Sequence, residues 1–214
     1  MGPRDAGLSA GGGALTVASC SRLLAILIAI SSGGCVTHAV LENDVRSAQW
    51  RARTLSTAAD PSLAYAALSA QLVELEALYQ RDPSDTRVLG LLDHGYRLMA
   101  HGFIELRHWE ALAAGDGGRA EQEARLRRDA EARARYYRGR LPSGSAASQP
   151  LRLESDFVEP DAACARRDRA SYEQRLNVLL AASEKTPEER LERALGRRLA
   201  SARLMPNVAL LCRF

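Results

Sequence analysis

Apolar residues recur at spacings of three and four along most of the chain, and no stretch alternates β-branched with polar residues. Spacings of three and four place side chains on one face of an α-helix, whereas a half-buried strand requires strict alternation. The pattern therefore predicts an all-α protein, in which antiparallel helix pairs bury their apolar faces against one another. We expect a single domain of about six helices.

Polar turns separate the predicted helices. The first helix covers about 41–58. Asp60 followed by Pro61 is typical of the start of a helix, because aspartate caps the first free amides and proline suits the first turn. The second helix is therefore predicted to begin at this pair and to end near Gln80.

The longest and most regular helix follows the turn at 82–85, with apolar positions that run from Leu89 to Leu106. Further apolar residues lie off its main face, which predicts a central position with neighbours on more than one side. Glycine is costly in an exposed helix, so the three glycines of this segment indicate that neighbouring helices pack closely against it. They are Gly90, Gly95 and Gly102.

Charged residues dominate the segment from about 119 to 141, where acidic and basic side chains recur four positions apart. Pairs at this spacing meet on a helix surface and each stabilise the helix by about 0.2–0.5 kcal/mol. We interpret this segment as a helix with a solvated outer face. The next segment, 142–160, is rich in Pro, Ser, Gly and Ala and predicts a flexible surface loop. Two further helices follow, around 172–180 and from Thr186 onward.

Eight consecutive aliphatic residues, Leu23 to Ile30, follow a basic residue and precede a Ser-Ser-Gly-Gly sequence that leads to Cys35. An apolar core of this length is typical of a secretory signal peptide and is too short to span a bilayer. We predict that residues 1–34 are a lipoprotein signal, that Cys35 is lipidated, and that the helical domain covers 35–214. Ser32 stands where such signals usually have leucine, so an ordinary export signal, cleaved or uncleaved, and a chance pattern are the alternatives.

Export also bears on the remaining cysteines. Cys20 would leave with the signal and Cys35 would carry the lipid, which leaves Cys164 and Cys212 as a pair. An oxidising compartment favours a disulfide between them. Two separate buried thiols are the alternative, because pairing cannot be read from a sequence alone.

The formal net charge is only +3, with both signs mixed along the chain, and this gives no indication of nucleic-acid binding. No nucleophile motif, HExxH metal motif or glycine-rich phosphate loop occurs. We therefore expect a protein that is not an enzyme, with no catalytic residues, no metal site and no cofactor. A hydrolase whose catalytic groups meet only in space is a less favoured alternative.

Three histidines, His94, His101 and His108, are spaced by seven on the predicted central helix. Seven residues rise about 10.5 Å, whereas two imidazoles must lie three or four positions apart to bind one ion. A buried seam that starts at Leu89 and Leu92 places the histidines on the opposite side of the helix. We expect them to be exposed or to face a partner; a pH-sensitive interface and a metal or catalytic role are the alternatives.

The start of the central helix resembles the opening of a tetratricopeptide repeat, with Asp93 where glycine is usual. The matching positions are Pro83, Leu89, Leu92 and Tyr96. Over roughly 23–141, the chain resembles the TatT component family associated with TRAP transporters. The residues that carry this resemblance are the lipidated start, Tyr79, Asp82, Pro83, Tyr96, Ala100, Gly102, Phe103 and the Arg133-Ala-Arg-Tyr-Tyr137 segment. After Leu141 the chain departs from the family pattern.

The resemblance implies a periplasmic lipoprotein of tetratricopeptide-like helix pairs that binds the solute-binding subunit of a TRAP transporter, often as a homo-oligomer. We expect such a protein to be held at a bacterial membrane by its lipid and to contact no nucleic acid. Val36 stands where aspartate retains many lipoproteins at the inner membrane, which favours the outer membrane. The alternative is an envelope assembly or structural lipoprotein with an outer-membrane partner.

Overall fold

The computed structural model describes residues 39–143 and 151–214. The chain divides into two units, Met1–Asn43 and Asp44–Phe214, and in the first unit only 39–43 is described, as helix. The predicted signal, residues 1–34, and the predicted lipidation site, Cys35, lie outside the described residues.

The described residues contain helices and no strand, which confirms the all-α prediction. The boundaries predicted for the long helices agree with the structure to within a few residues. The helices are α1 (39–56), α2 (Pro61–Arg81), α3 (Thr86–Arg97), α4 (Glu105–Ala113), α5 (Gly117–Arg138), α6 (Arg152–Asp156), α7 (Val158–Ala165), α8 (Arg169–Ala181), α9 (Arg190–Arg203) and α10 (Pro206–Ala209). Short 3₁₀ turns occur at Pro187–Glu189 and Leu210–Cys212.

Aspartate caps fix the starts of four helices. The Asp60 carboxylate accepts a hydrogen bond of 2.8 Å from the Ser62 amide, and Pro61 occupies the first helical position. This cap satisfies an amide that would otherwise have no partner, and a cap of this kind typically contributes about 1 kcal/mol. The same role belongs to Asp85, Asp116 and Asp168 at the starts of α3, α5 and α8.

The centre of the fold is one continuous helical rod, made of α3, a π-helical segment at Leu98–Ile104, and α4. Helix α5 packs along both α3 and α4, α2 packs on α3, and α9 packs on α4. Helix α8 then packs between α7 and α9. The largest fully buried side chains include Leu75, Leu89, Leu92, Leu153, Tyr172, Leu176, Leu191, Leu195 and Leu199. Burying each leucine contributes roughly 1.5–3 kcal/mol, so these contacts hold the helices together.

Two of the predicted glycines mark close helix contacts. A Cβ added to Gly95 would lie 2.9 Å from Leu72 Cδ2 of α2, and one added to Gly102 would lie 2.9 Å from Leu195 Cδ1 of α9. Both distances are shorter than ordinary van der Waals contact. Thus α2 and α9 approach the central rod where it lacks side chains, as the glycine pattern predicts.

The predicted loop at 142–160 is wrong in its second part, because α6 and the beginning of α7 are helical. Leu151, Leu153 and Phe157 are buried and anchor this segment on the core. The sequence does not reveal these elements, since a five-residue helix is too short to display an apolar period. The remainder of the predicted loop, residues 144–150, lies outside the described residues.

A disulfide joins Cys164 of α7 to Cys212 in the last 3₁₀ turn, so these cysteines are a bonded pair rather than two separate thiols. The bond ties the C-terminal segment to the region that precedes α8. It closes a loop across a sequence separation of 48 residues.

We predict that replacing both cysteines, Cys164→Ser with Cys212→Ser, lowers the free energy of unfolding by about 4 kcal/mol, because the unfolded chain regains the entropy of an open loop. Urea denaturation with and without reductant measures this change. Reductant should destabilise the unmodified protein and leave the double variant unaffected. Equal stability of the two proteins under oxidising conditions would contradict the prediction.

Candidate functional site

The outward face of α2 is apolar along most of its length. Leu63 and Val73 are 71% and 72% exposed, and the alanines between them on this face are also exposed. By contrast, the outward face of α5 carries mostly charged side chains. Large apolar side chains that cluster on an exposed face indicate a site of interaction with another molecule.

A cleft of about 450 Å³ lies between α1 and α2 beside this face. The Gln71 side chain donates a hydrogen bond of 3.0 Å to the Ala48 carbonyl and thereby holds the two helices together. Arg51 of α1 and Glu74 of α2 form an exposed ion pair of 2.6 Å at the rim. We call this the α1–α2 cleft; its lining residues are Arg51, Thr54, Leu55, Ala58, Leu63, Ala64, Ala67, Ala70, Gln71 and Glu74.

Trp50 is the most exposed large apolar residue of α1. Its side chain is 73% exposed, the largest exposure among the large apolar residues of the described chain. Thr54, which lines the α1–α2 cleft, lies four positions later and donates a hydrogen bond of 3.1 Å to the Trp50 carbonyl. Trp50 itself does not line the cleft, so its indole is a separate exposed apolar group on α1. Tryptophan is among the residues that contribute most to binding energy at protein interfaces.

The three predicted histidines do not form a row that faces outward. His94 is solvent-accessible and lines a small apolar cavity with Gln71, Leu191 and Glu192. Desolvation by the surrounding protein lowers the pKa of His94, against the opposing effect of the Glu192 carboxylate. Of the three, only His94 keeps the exposure that the sequence predicts.

His101 and His108 are turned toward their own fold. His101 lies 3.5 Å from a carboxylate oxygen of Glu105 and 3.5 Å from one of Glu154. His108 Nδ1 lies 2.8 Å from the Ala120 carbonyl of α5. The heptad spacing fails because the π segment adds a residue to the turn, as the hydrogen bond from the Glu105 amide to the Ala100 carbonyl shows. As a result, His101 contacts α6 and His108 contacts α5.

Within the described ranges, 39–143 and 151–214, no group of three or more His, Cys, Asp or Glu side chains is arranged to hold a metal ion. Over the same ranges, no helix combines the length and apolarity needed to cross a membrane.

A buried charge network, which the sequence reading missed, joins α3 to α5 and α6. Asp93 is fully buried and accepts hydrogen bonds from Arg138 of α5, with a distance of 3.0 Å between Nη2 and Oδ1. Arg97, only 3% exposed, contacts Asp93 at 3.6 Å and binds Glu154 of α6 through two of its nitrogens. His101 continues the network from Glu154 to Glu105. The one available signal was Asp93 itself, an acidic residue at a core position of the central helix.

Burial acts to raise the pKa of Glu154, but hydrogen bonds and the positive charge of Arg97 outweigh it and hold that pKa below its usual range. The pKa of Glu105 is also lowered, since the His101 hydrogen bond and the charge of Arg127 outweigh its burial. Both carboxylates therefore stay ionised inside the fold, and they position the helices rather than offer protons to a substrate.

The tyrosines that carry the family resemblance meet around one carboxylate. Glu76 of α2 binds the Tyr96 hydroxyl and the Arg133 guanidinium, and Tyr137 donates to it over 3.3 Å. The Tyr96 and Tyr137 rings stack with centroids 5.9 Å apart. Burial, together with the hydrogen bond to Glu76, raises the pKa of Tyr96 to about 12. This cluster ties α2, α3 and α5 together, which is a structural role for these residues.

No family model matches the chain, and comparisons with curated proteins and with solved structures gave no match. The TatT family and the tetratricopeptide pattern therefore stay predictions from the sequence.

We predict that Glu154→Gln lowers the free energy of unfolding by about 3 kcal/mol at pH 7, because it leaves Arg97 buried without its main carboxylate. A carboxylate with a lowered folded pKa contributes stability above its unfolded pKa of about 4.3, and this stability is lost as the pH falls through the folded pKa. Consequently, the variant should lose less stability between pH 5 and pH 3 than the unmodified protein. Urea denaturation across this pH range measures both effects.

The matched control is Glu159→Gln, which removes an exposed ion pair with Arg175. Exposed pairs contribute about 0–1 kcal/mol, so this variant should resemble the unmodified protein. A Glu154 variant as stable as this control would contradict a structural role for the network.

Proposed function

We propose that this protein is an exported, lipid-anchored helical scaffold that binds a protein partner through the α1–α2 cleft and the exposed faces of α1 and α2. The observation that carries the proposal is the exposed apolar face of α2 with Leu63 and Val73, to which Trp50 adds an exposed apolar side chain on the neighbouring α1. Exposed apolar side chains do not stabilise a monomer in water, so three of them on adjacent helices favour a role in binding.

The shape of the surface suits a helix as its ligand. The exposed stripe from Leu63 to Val73 spans ten residue steps, or about 15 Å, which corresponds to nearly three helical turns. The alanines of this stripe allow a second backbone to approach closely, and the cleft beside it accepts larger side chains. We infer that the partner presents an amphipathic helix with its apolar side toward α2, a mode of recognition used by many helical grooves.

The charges at the rim restrict this partner further. Arg51 and Glu74 offer one cation and one anion, and their mutual ion pair is exposed and therefore weak. A partner helix with an acidic residue opposite Arg51 and a basic residue opposite Glu74 would replace this pair with two new ones. Such contacts set orientation and association rate more than affinity.

The disulfide supports the export half of the proposal, because disulfides persist in oxidising compartments and are rare in the bacterial cytosol. On the family resemblance, we propose that the compartment is the periplasm, that the anchor is the lipid on Cys35 at the outer membrane, and that the partner is the solute-binding subunit of a TRAP transporter. The described side chains suggest no catalytic centre, and the proposal assigns the protein a binding function.

We predict that Leu63→Glu and Val73→Glu each weaken binding to a co-encoded TRAP solute-binding subunit at least tenfold, where the genome carries one, because each buries a charge in an apolar contact. Both residues are exposed, so circular dichroism and the thermal midpoint should be unchanged. Isothermal titration of the purified pair measures the affinity.

Val178→Glu is the matched control, since Val178 is also apolar and is 57% exposed, but lies on α8. This variant should bind as the unmodified protein does. Equal loss in all three variants would contradict the assignment of the surface. Failure of the unmodified protein to bind any co-encoded receptor would contradict the assignment of the partner.

The anchor has a separate test, which is growth with radiolabelled palmitate. The unmodified protein should incorporate label and Cys35→Ser should not, because only the cysteine thiol can receive the lipid. Label in both proteins at the same level would refute lipidation at this residue.

A further inference from the structure

A second cleft, of about 260 Å³, opens where the starts of α2 and α5 meet the central rod and α9. Tyr65 forms its apolar side together with Phe103 and Leu106, which are each only 4% exposed, and the Tyr65 and Phe103 rings pack edge to face with centroids 5.6 Å apart. The charged lining residues are one carboxylate, Glu110, and three arginines, Arg107, Arg119 and Arg198; Pro61 and Ser62 complete the lining. The cleft therefore combines an aromatic wall with an excess of positive charge.

The three arginines differ in whether a carboxylate of the protein already pairs with them. Arg107 stacks on the Tyr65 ring at 4.5 Å and pairs with the buried Glu123 at 3.1 Å. Arg198 pairs with Glu110 at 2.6 Å, but both side chains are exposed. Arg119 is exposed, and no carboxylate of the described chain forms an ion pair with it. Two guanidinium groups are therefore able to bind an anion. Arg119 can do so directly, and Arg198 can do so if the anion replaces Glu110.

Replacing Glu110 by a ligand carboxylate at Arg198 costs little free energy. Exposed ion pairs contribute little to stability, because water and salt screen them. A carboxylate held at the same time by Arg119 would replace Glu110 with a more strongly bound anion, since guanidinium and carboxylate form paired, charge-assisted hydrogen bonds. A ligand carboxylate can therefore displace Glu110 from Arg198.

A third cleft, of about 400 Å³, continues from this one, and Glu110 and Arg198 line both. Its other lining residues are small or apolar, with one hydroxyl: Ala113, Ala114, Ser201, Ala202 and Met205. The pair Arg198–Glu110 therefore stands between a basic, aromatic cleft and an apolar trough.

Size decides which kind of ligand fits. A cleft of 260 Å³ is smaller than the roughly 300–1,000 Å³ of sites that enclose a whole small molecule. It is large enough for one aromatic or branched aliphatic residue. The adjoining trough offers room for the residues that precede it in an extended chain, each of which advances about 3.3 Å.

We propose that these joined clefts bind the carboxyl terminus of a polypeptide whose last residue is large and apolar. The terminal carboxylate lies between Arg119 and Arg198, the last side chain packs on Tyr65 and Phe103, and the preceding residues follow the trough past Ala202. This site uses neither Leu63 nor Val73 and is independent of the α1–α2 cleft. Binding of a partner's helix at one site and of a free chain end at the other are separate events.

The test is isothermal titration of the full-length protein with an N-acetylated pentapeptide of four alanines and a final phenylalanine. The free acid should bind with a dissociation constant below about 1 mM. The same peptide with an amidated terminus should bind at least tenfold more weakly, because it lacks the charge that the two arginines recognise. Equal affinity of acid and amide, or no measurable heat with the acid, would overturn the proposal.

Protein variants locate the site. Arg119→Gln and Arg198→Gln should each weaken binding of the acid about tenfold or more. Arg128→Gln is the matched control, an exposed arginine of the same helix as Arg119 that does not line the cleft, and it should leave binding unchanged. Equal weakening by the control would show a general charge effect and overturn the site.

Two further measurements distinguish peptide binding at this site from binding of free small acids and from binding at the α1–α2 cleft. N-acetylphenylalanine alone should bind more weakly than the pentapeptide; equal affinity would overturn the role of the trough and assign the cleft to free small acids. Leu63→Glu and Val73→Glu should leave peptide binding unchanged, so failure at the α1–α2 cleft and failure here are distinguishable. Peptide binding lost in those two variants would overturn the independence of the sites.

Discussion

The arrangement of the helices depends on the buried ion pair between Asp93 and Arg97. Neither charge can be left alone in the interior, so each must meet partners from other helices: Arg138 of α5 for Asp93, and Glu154 of α6 for Arg97. Such a network adds little net stability compared with an apolar core, but breaking it is costly. It therefore restricts α5 and α6 to one position on the central rod, while the leucine core supplies most of the stabilising free energy.

The outward surfaces of α5, α2 and α9 differ in chemistry, because the buried charge network and the leucine core hold the helices together from the inside. Because α5 faces solvent with charged side chains, its outward surface needs no partner. Helix α2 instead exposes an apolar stripe next to the α1–α2 cleft, and α9 contributes Arg198 to a basic cleft with an aromatic wall. One surface suits an apolar helix and the other suits a carboxylate, so the two proposed interactions differ in their dominant force and in their dependence on salt.

The long helices could be predicted because their apolar periods extend over three turns or more and their starts carry strong signals, such as Asp60 with Pro61. The short helices α6 and α7 could not, since α6 is positioned by contacts with α9 and the central rod, and α7 by contacts with α8. The histidine row failed for a related reason: a seven-residue spacing predicts a shared face only on an uninterrupted α-helix, and the π segment lies between His94 and His108. No local pattern marks that segment, which contains Gly102 and its close contact with Leu195 of α9.

The sequence by itself determined the fold class, the ends of the main helices and the existence of two cysteines able to pair, because periodicity and capping are local properties. The tertiary structure decided everything that joins distant residues. It brought Arg97 to Glu154 across 57 positions, placed Arg119 and Arg198 in one cleft, and left Leu63 and Val73 of α2 exposed while the leucines on the other side of that helix are buried. These contacts depend on how the helices pack, and the free energy of packing is shared among many side chains that no single stretch of sequence contains.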